Sequence, residues 1–405
     1  MNDRPDTDDQ DRLLRRISRR KRKSPLVLFF GRREAFSDNS KYLYLDACRQ
    51  DYGFAPLWMT TSAQIATALS AQDMPVLNVA ADRTETLRHL LKAAAAVYCT
   101  NPNEAVPETD YRAALEGAWK LQLWHGVFAG RQDLQVTDVA PALSPPLLRQ
   151  LEGASSVDAT LSPAASYDDR FMEAFGAALL IRDGYPRNEA LDRPSSPHDL
   201  IAAFPPPARP AGEAGPAILY CPSHTRLGQP LWRDPALVGE FSNLSKRLGA
   251  RIYIKPHPFE AAIALKIGLL APGVTLIPAL ADIYPALPAF DLMISDYSSI
   301  MDDFALTGRP VVVLEMPATE AIRKGLLLSD LHYRDLARTA TPATLEAVLK
   351  EALANGPRIR DSIYTSPHAG SSVRINRFLG QQVKRICDRR AEIVSLADMP
   401  AQGSQ

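Results

Sequence analysis

Cysteine is scarce and scattered in this chain. Cys48, Cys99, Cys221 and Cys387 lie far apart with no CxxC pair, which excludes a paired-cysteine zinc site and a disulfide framework. A reducing cytoplasm fits that usage. No apolar run approaches the ~20 residues that span a bilayer, and the run from Leu26 to Phe30 is too short for a signal-peptide core. The sequence therefore predicts a soluble or peripheral protein. Net charge is also missing: 46 Lys and Arg stand against 46 Asp and Glu, so nothing global suits a nucleic-acid binder, and any site for a polyanion must be local. No G-x-G-x-x-G follows a strand, and neither GK[ST] nor H-E-x-x-H occurs. The one D-x-D candidate for a metal grip, Asp9 to Asp11, lies in the N-terminal tail, so no metal ligand is assigned. Dehydrogenases, P-loop kinases and metal-gripping sugar transferases all lose ground.

What is present is enough apolar residue for two cores: 405 residues at 46% hydrophobic content. From Pro25 onward, short apolar runs alternate with helical patterns: LVLFF (26–30), FAPLWMT (54–60), PVLNV (75–79), AAVYC (95–99) and LQLWH (121–125). A second series follows: AILYC (217–221), RIYIK (251–255), VTLI (274–277), DLMIS (291–295) and PVVVLE (310–315). Strands separated by helices imply parallel β-α-β units, so the expected fold is α/β with two doubly wound Rossmann-like domains. Clustered Pro205, Pro206, Pro207 and Pro210 mark a semi-rigid connector. The expected division is a tail at 1–24, an acceptor-side domain at 25–200, a linker at 201–216, a nucleotide-donor domain at 217–380 and a C-terminal end at 381–405. From Thr341 to about Leu379 the chain reads helical with a break around Pro357 to Ser372, and beyond about Ala391 it reads as frayed.

The tail turns basic, with eight Arg or Lys among the twelve residues from Arg12 to Lys23, and Leu13, Leu14 and Ile17 stand at helical spacing. A solvated tail and a membrane-surface helix both fit. The one-signed charge abutting the first strand favours contact with anionic lipid.

In open parallel sheets ligands bind outside the carboxyl ends of strands, so polar residues there are the candidates. The sharpest segment is SDYSSIMDDFALTGRP (295–310), a strand, a turn and a helix. Ser299 with Asp302 matches the S-x-x-D capping pattern, and Ser298, Ser299 and the helix N-terminus together suit a phosphate, with Asp296 orienting the turn or accepting from a ligand hydroxyl. In YIKPHP (253–258), two prolines hold His257 in a loop, and Lys255 favours an anion. In LWHG (123–126), Gly126 permits close approach and leaves His125 at its own strand end. Either histidine alone is as readily structural; one from each half favours a site. DGYPRNE (183–189) displays Arg187 and Asn188, for a phosphate or for closing the domain. YCPSHTR (220–226) offers Ser223 and Arg226, the latter able to fork onto a phosphate unless it is a surface turn.

Taken in order, LWHG, GYPRNE, YCPSHTR, IKPHP and SDYSSIMDDFALTGRP, with SDNSKYLY (37–44) before them, resemble the CDP-glycerol glycerophosphotransferase family, which includes teichoic-acid primases and polymerases and capsule enzymes. The resemblance spans roughly Pro25 to Leu379. It implies a GT-B fold with its site in the interdomain cleft. It also implies glycerol phosphate transfer from CDP-glycerol, as donor substrate rather than bound cofactor, to a lipid-linked acceptor at the cytoplasmic membrane face. The family's functional histidines carry over to His125 and His257, and its donor-phosphate serines to Ser298 and Ser299. Two departures bear on the acceptor: Val127 to Gly130 replace the family's Thr-Pro-Leu-Lys-like run, with Arg131 as a replacement cation, and PHAGSSVR (367–374), ending in Arg374, replaces an acidic Asp-Asp-Gly region. The expected chemistry is attack of an acceptor hydroxyl on the β-phosphorus, releasing CMP, with His125 as base and His257 as stabiliser, or the reverse. A GT-B glycosyltransferase using a UDP- or CMP-sugar, and a non-catalytic scaffold of the same fold, are the alternatives.

Overall fold

A computed structural model describes residues 6–32, 34–126, 157–207, 215–222, 231–261, 268–296, 298–315, 337–357 and 363–397. In chain order the first part holds α1 (Asp6–Arg20), β1 (Ser24–Phe30), α2 (Asp38–Arg49), β2 (Ala55–Thr60), α3 (Ala63–Ser70), β3 (Val76–Asn78), α4 (Arg83–Lys92) and β4 (Ala93–Tyr98). It continues with α5 (Pro102–Ala105), α6 (Thr109–Ala114), β5 (Trp119–Gln122), β6 (Ala159–Ser162), α7 (Asp168–Phe175) and β7 (Leu179–Arg182). The second part holds β8 (Ala217–Cys221), α8 (Pro235–Leu248), β9 (Arg251–Ile254), β10 (Gly268–Ala271), β11 (Val274–Leu276), β12 (Leu292–Ser295), α9 (Ile300–Ala305), β13 (Val311–Leu314), β14 (Arg338–Ala340), α10 (Leu345–Asn355) and α11 (Ser371–Ala397).

These strands form two seven-stranded sheets, ordered β3-β2-β1-β4-β5-β6-β7 and β10-β11-β9-β8-β12-β13-β14. All pairings are parallel except β10 with β11. Buried parallel strands need apolar side chains on both faces, and β4 (AAAAVY), buried at every position, shows why an unalternating run sits at the sheet centre. Helix ends follow local chemistry. Ser62 and Asp82 cap α3 and α4 through their side chains, and Asp234, with a proline in the first turn, starts α8, which stops at left-handed Gly249.

Ten of the strands are those read from the apolar runs. The sequence reading missed β6, β7, β10 and β14, each of three or four residues. A larger correction concerns the C-terminus. Ile375, Leu379 and Val383 of α11 join the core of the first sheet, and Asn376 Nδ2 donates to the Leu43 carbonyl and to Asp46 on α2, at 2.9 and 2.8 Å. The chain thus crosses back, and residues from Ser371 to Gly380, assigned by sequence to the donor domain, pack on the other one. The helix also continues to Ala397, past the expected fraying at Ala391.

The basic tail is a helix, as its spacing suggests, and one side of it is docked. Ser18, fully buried, donates to the Ala114 carbonyl and accepts from Gly117 N at 2.9 Å, while Arg15 and Arg19 pair with Glu116. Leu13 and Ile17 remain 54% and 39% exposed. Among the described residues no helix is long and apolar enough to cross a membrane.

Candidate active site

Strand order reverses direction between β1 and β4 in the first sheet and between β8 and β12 in the second. Such switch points open a crevice at the carboxyl ends of the strands, where a ligand can enter. His125 follows β5, next to the first switch point; Asp296, Ser298 and Ser299 follow β12, at the second; His257 follows β9, one strand away on the same edge.

His125 is fixed by its surroundings. Its Nδ1 lies 2.9 Å from the Cys99 carbonyl, which can only accept, so Nδ1 carries a proton and Nε2 presents a lone pair. Burial, then the Arg32 cation, push its imidazole well below the usual value, against the Cys99 hydrogen bond that raises it. Its neighbour Trp124 adopts φ +58°, a conformation that costs a bulky residue on the order of 1–3 kcal/mol. Trp124 N donates to Gln122 Oε1 at 3.0 Å and its carbonyl accepts from Asn39 Nδ2 at 2.8 Å, which holds the strained turn.

The loop then meets the other sheet. A Cβ placed on Gly126 would lie 2.4 Å from Ser299 Oγ and 2.9 Å from its Cβ, so any larger residue would push the Ser299 side chain aside. The two motifs read separately from the sequence therefore touch across the cleft.

Arg187 holds the junction. Buried, it donates through Nη1 to Asp38 at 2.7 Å and to the His125 carbonyl at 2.8 Å, and through Nη2 to Asp303 at 2.7 Å. Asp303 also accepts from Tyr284 and Tyr364, at 2.6 Å each. The guanidinium stacks against Tyr185 and Tyr284, both at 4.9 Å. The rest of that motif is equally engaged: Tyr185 Oη donates to the Gly126 carbonyl at 2.9 Å, and Glu189 accepts from Ser371 and Ser372 at the start of α11. Asn188 is buried, its N–H donating to the Tyr185 carbonyl at 3.0 Å. A second cross-link joins Lys41 on α2 to Asp282, at 2.8 Å with both side chains buried.

On the second sheet, Lys255 is buried, donates to the carbonyls of Ala279 and Pro256 at 2.6 and 3.2 Å, and is lowered by burial to about 8. Asp296 is buried; Ser298, Ser299 and His257 are partly exposed. The expected capping box is not formed: Ser299 precedes α9 without a side-chain cap. With only six residues, α9 also carries little macrodipole, so the two hydroxyls matter more than the helix end. Arg374 stands elsewhere, forked onto Asp183 at 2.8 and 2.6 Å. Ser223, Arg226 and Arg131 lie outside the described residues.

Sequence reasoning missed Asp38, Asp303, Tyr284 and Tyr364, although SDNSKYLY and the Asp302–Asp303 doublet lay in segments it had singled out. Among the described residues, no group of three His, Cys, Asp or Glu side chains is placed to hold a metal.

Residues 13–321 match the family described as CDP-glycerol:poly(glycerophosphate) glycerophosphotransferase. The chain belongs to that family. It is a transferase, as the family is. No curated protein sequence matches it. Among solved structures, it resembles a wall teichoic acid polymerase, TagF, in a variant soaked with CDPG, at TM-score 0.68 and 18% identity over 93% of each chain. It also resembles the TagF structure itself, at 0.64 and 17% over 93% of each chain. A Methanocaldococcus jannaschii UDP-GlcNAc 2-epimerase in complex with UDP-GlcNAc and UDP follows at 0.54 and 12%, over 87% of this chain and 99% of that one. At these identities the likenesses show the fold, which is GT-B.

Proposed function

We propose that this glycerophosphotransferase moves glycerol phosphate from CDP-glycerol to a hydroxyl of a lipid-linked or polymer acceptor in teichoic-acid-like or capsule synthesis, releasing CMP. The observation that carries the reading is His125: a neutral imidazole with its tautomer fixed by the Cys99 carbonyl, next to the glycine that abuts Ser299. Nε2 takes the acceptor's hydroxyl proton as the oxygen attacks the β-phosphorus. The bond from that phosphorus to the bridging oxygen breaks, and CMP departs with the electron pair. His257 and Lys255 offset the developing negative charge, and Ser298 and Ser299 hold the donor's phosphates, with Asp296 shaping their turn. Incubation with CDP-glycerol and a glycerol-phosphate-primed lipid should release CMP; full activity in His125→Ala would sink the assigned role.

The reading extends to a peripheral place on the inner membrane face. The exposed Leu13 and Ile17 of α1 share its outward side with Arg16 and Arg20, a pattern suited to an anionic lipid surface, where each cation contributes about 1 kcal/mol. Sedimentation with anionic vesicles should exceed that with neutral ones and fall in a Leu13→Glu, Ile17→Glu double variant.

A further inference from the structure

The first sheet's switch point holds a cation that neither the motifs nor the mechanism above uses. Directly after β1 comes Gly31, where a Cβ would lie 2.4 Å from the Ala35 carbonyl and 2.7 Å from the Trp58 ring. The chain is therefore forced into a tight turn that sets Arg32 at the strand end. Directly after β4, on the other side of the crevice, come Thr100 and Asn101, and then Glu104 on α5. Arg32 Nε stands 3.6 Å from Glu104 Oε1, with the two side chains only 12% and 10% exposed. Glu104 is steered by Thr100 Oγ1, which donates to its other oxygen at 2.7 Å.

Two facts give this guanidinium a direction. It stands at the end of β1, beside the switch point where the crevice opens, and its charge bears on Asp38 and His125 in the first half and on Lys255 in the second. The neighbouring buried cation, Arg187, is committed to Asp38, Asp303 and the His125 carbonyl. Placed on His125's side of the cleft, Arg32 is suited to the substrate that brings the hydroxyl rather than to the nucleotide. A glycerophosphate chain carries a phosphodiester one glycerol away from its terminal hydroxyl. A guanidinium fork recognises such a group in a way that a point charge does not.

We propose that Arg32, at the β1/β4 switch point, binds a phosphate of the acceptor and so delivers the acceptor hydroxyl to His125. This rests on the transferase reading above and adds to it an anionic subsite on the acceptor side, with Glu104 as the counter-charge that the phosphate displaces.

The test compares Arg32→Gln, Arg32→Lys and Glu104→Gln with the wild type, each checked for an unchanged melting temperature. The acceptors are a glycerol-phosphate-primed lipid and a monoacylglycerol that lacks the phosphate. Arg32→Gln should raise KM for the phosphorylated acceptor about tenfold or more, the loss expected for one charge-assisted contact. At pH 8, where His125 is neutral with or without the Arg32 charge, turnover of the uncharged acceptor and calorimetric CDP-glycerol affinity should stay within about twofold. Arg32→Lys should recover part of the loss, and Glu104→Gln should lower the KM. Equal losses on both acceptors, a loss of CDP-glycerol affinity instead, or no change would each overturn the assignment. If the wild type transfers nothing from CDP-glycerol, the transferase reading fails separately. Calorimetry with glycerol 3-phosphate then still decides: binding lost in Arg32→Gln supports the subsite, and no binding by the wild type ends it.

Discussion

The two walls of the cleft are built in opposite ways. On the first, His125 is locked by a backbone carbonyl, by a strained Trp124 turn and by Arg187, whose Nη2 reaches across to Asp303. On the second, Ser298, Ser299 and His257 sit partly exposed, and the Ser299 side chain does not cap its helix. A base must be held with one tautomer against one proton, whereas groups that receive a flexible diphosphate gain from remaining adaptable. Under the proposed mechanism, rigidity goes with proton transfer and adaptability with donor binding.

That contrast is tested most severely by His125→Ala. Loss of a positioned base should lower kcat by about 10²- to 10⁴-fold while CDP-glycerol affinity, measured by calorimetry, is unchanged. Ser299→Ala should do the reverse in kind, raising the donor KM more than it lowers kcat. If both variants lose donor affinity equally, the division of labour between the walls is wrong.

Next in size is the junction itself. Arg187→Met leaves Asp38 and Asp303 buried without their cation, which should cost about 3–5 kcal/mol in chemical denaturation. A loss under 1 kcal/mol would show that the walls are held together without the Arg187 network.

Much of this was legible in the sequence because the fold is made of buried parallel strands. Runs such as LVLFF and AILYC announce themselves, and His125, Gly126, Ser298 and Ser299 stand at strand ends where a doubly wound sheet binds its ligands. The junction was not legible. Arg187 meets Asp38 and Asp303 over separations of 149 and 116 residues, and such pairings leave no local period. Asp302 looked like a helix-capping acid because a short-range pattern explained it, and Asp303 beside it stood in no local pattern. The destination of α11 was hidden for the same reason: its apolar spacing gives a helix but not the sheet it covers.

A smaller effect should follow from the approach of the two walls. Gly126→Ala puts a methyl 2.4 Å from Ser299 Oγ and 2.9 Å from its Cβ. The clash should cost about 1–3 kcal/mol, seen as a raised donor KM. Ser299→Ala removes only the nearer atom, so it should relieve part of that cost, while Ser299→Gly should relieve nearly all. Additive losses in the double variants would mean that the loops part before substrate binds.

The smallest effect is a pH dependence, and its sign separates a base held neutral from an ordinary surface histidine. Burial, then the Arg32 cation, hold His125 in the folded protein well below the ordinary imidazole value of about 6.5, so between those two points the unfolded chain binds a proton that the native state does not. Stability should then fall as pH drops below about 6.5, by at most about 1.4 kcal/mol per pH unit for this one proton, and level off once the folded imidazole also protonates. In His125→Gln this component should disappear from the denaturation midpoint. Activity follows the folded value instead: kcat/KM should stay level as pH falls through 6.5 and decline only in more acid solution, where Nε2 is occupied. A decline centred at 6.5 would mean that neither burial nor Arg32 governs this ring, and the first wall would lose the rigidity on which its role depends.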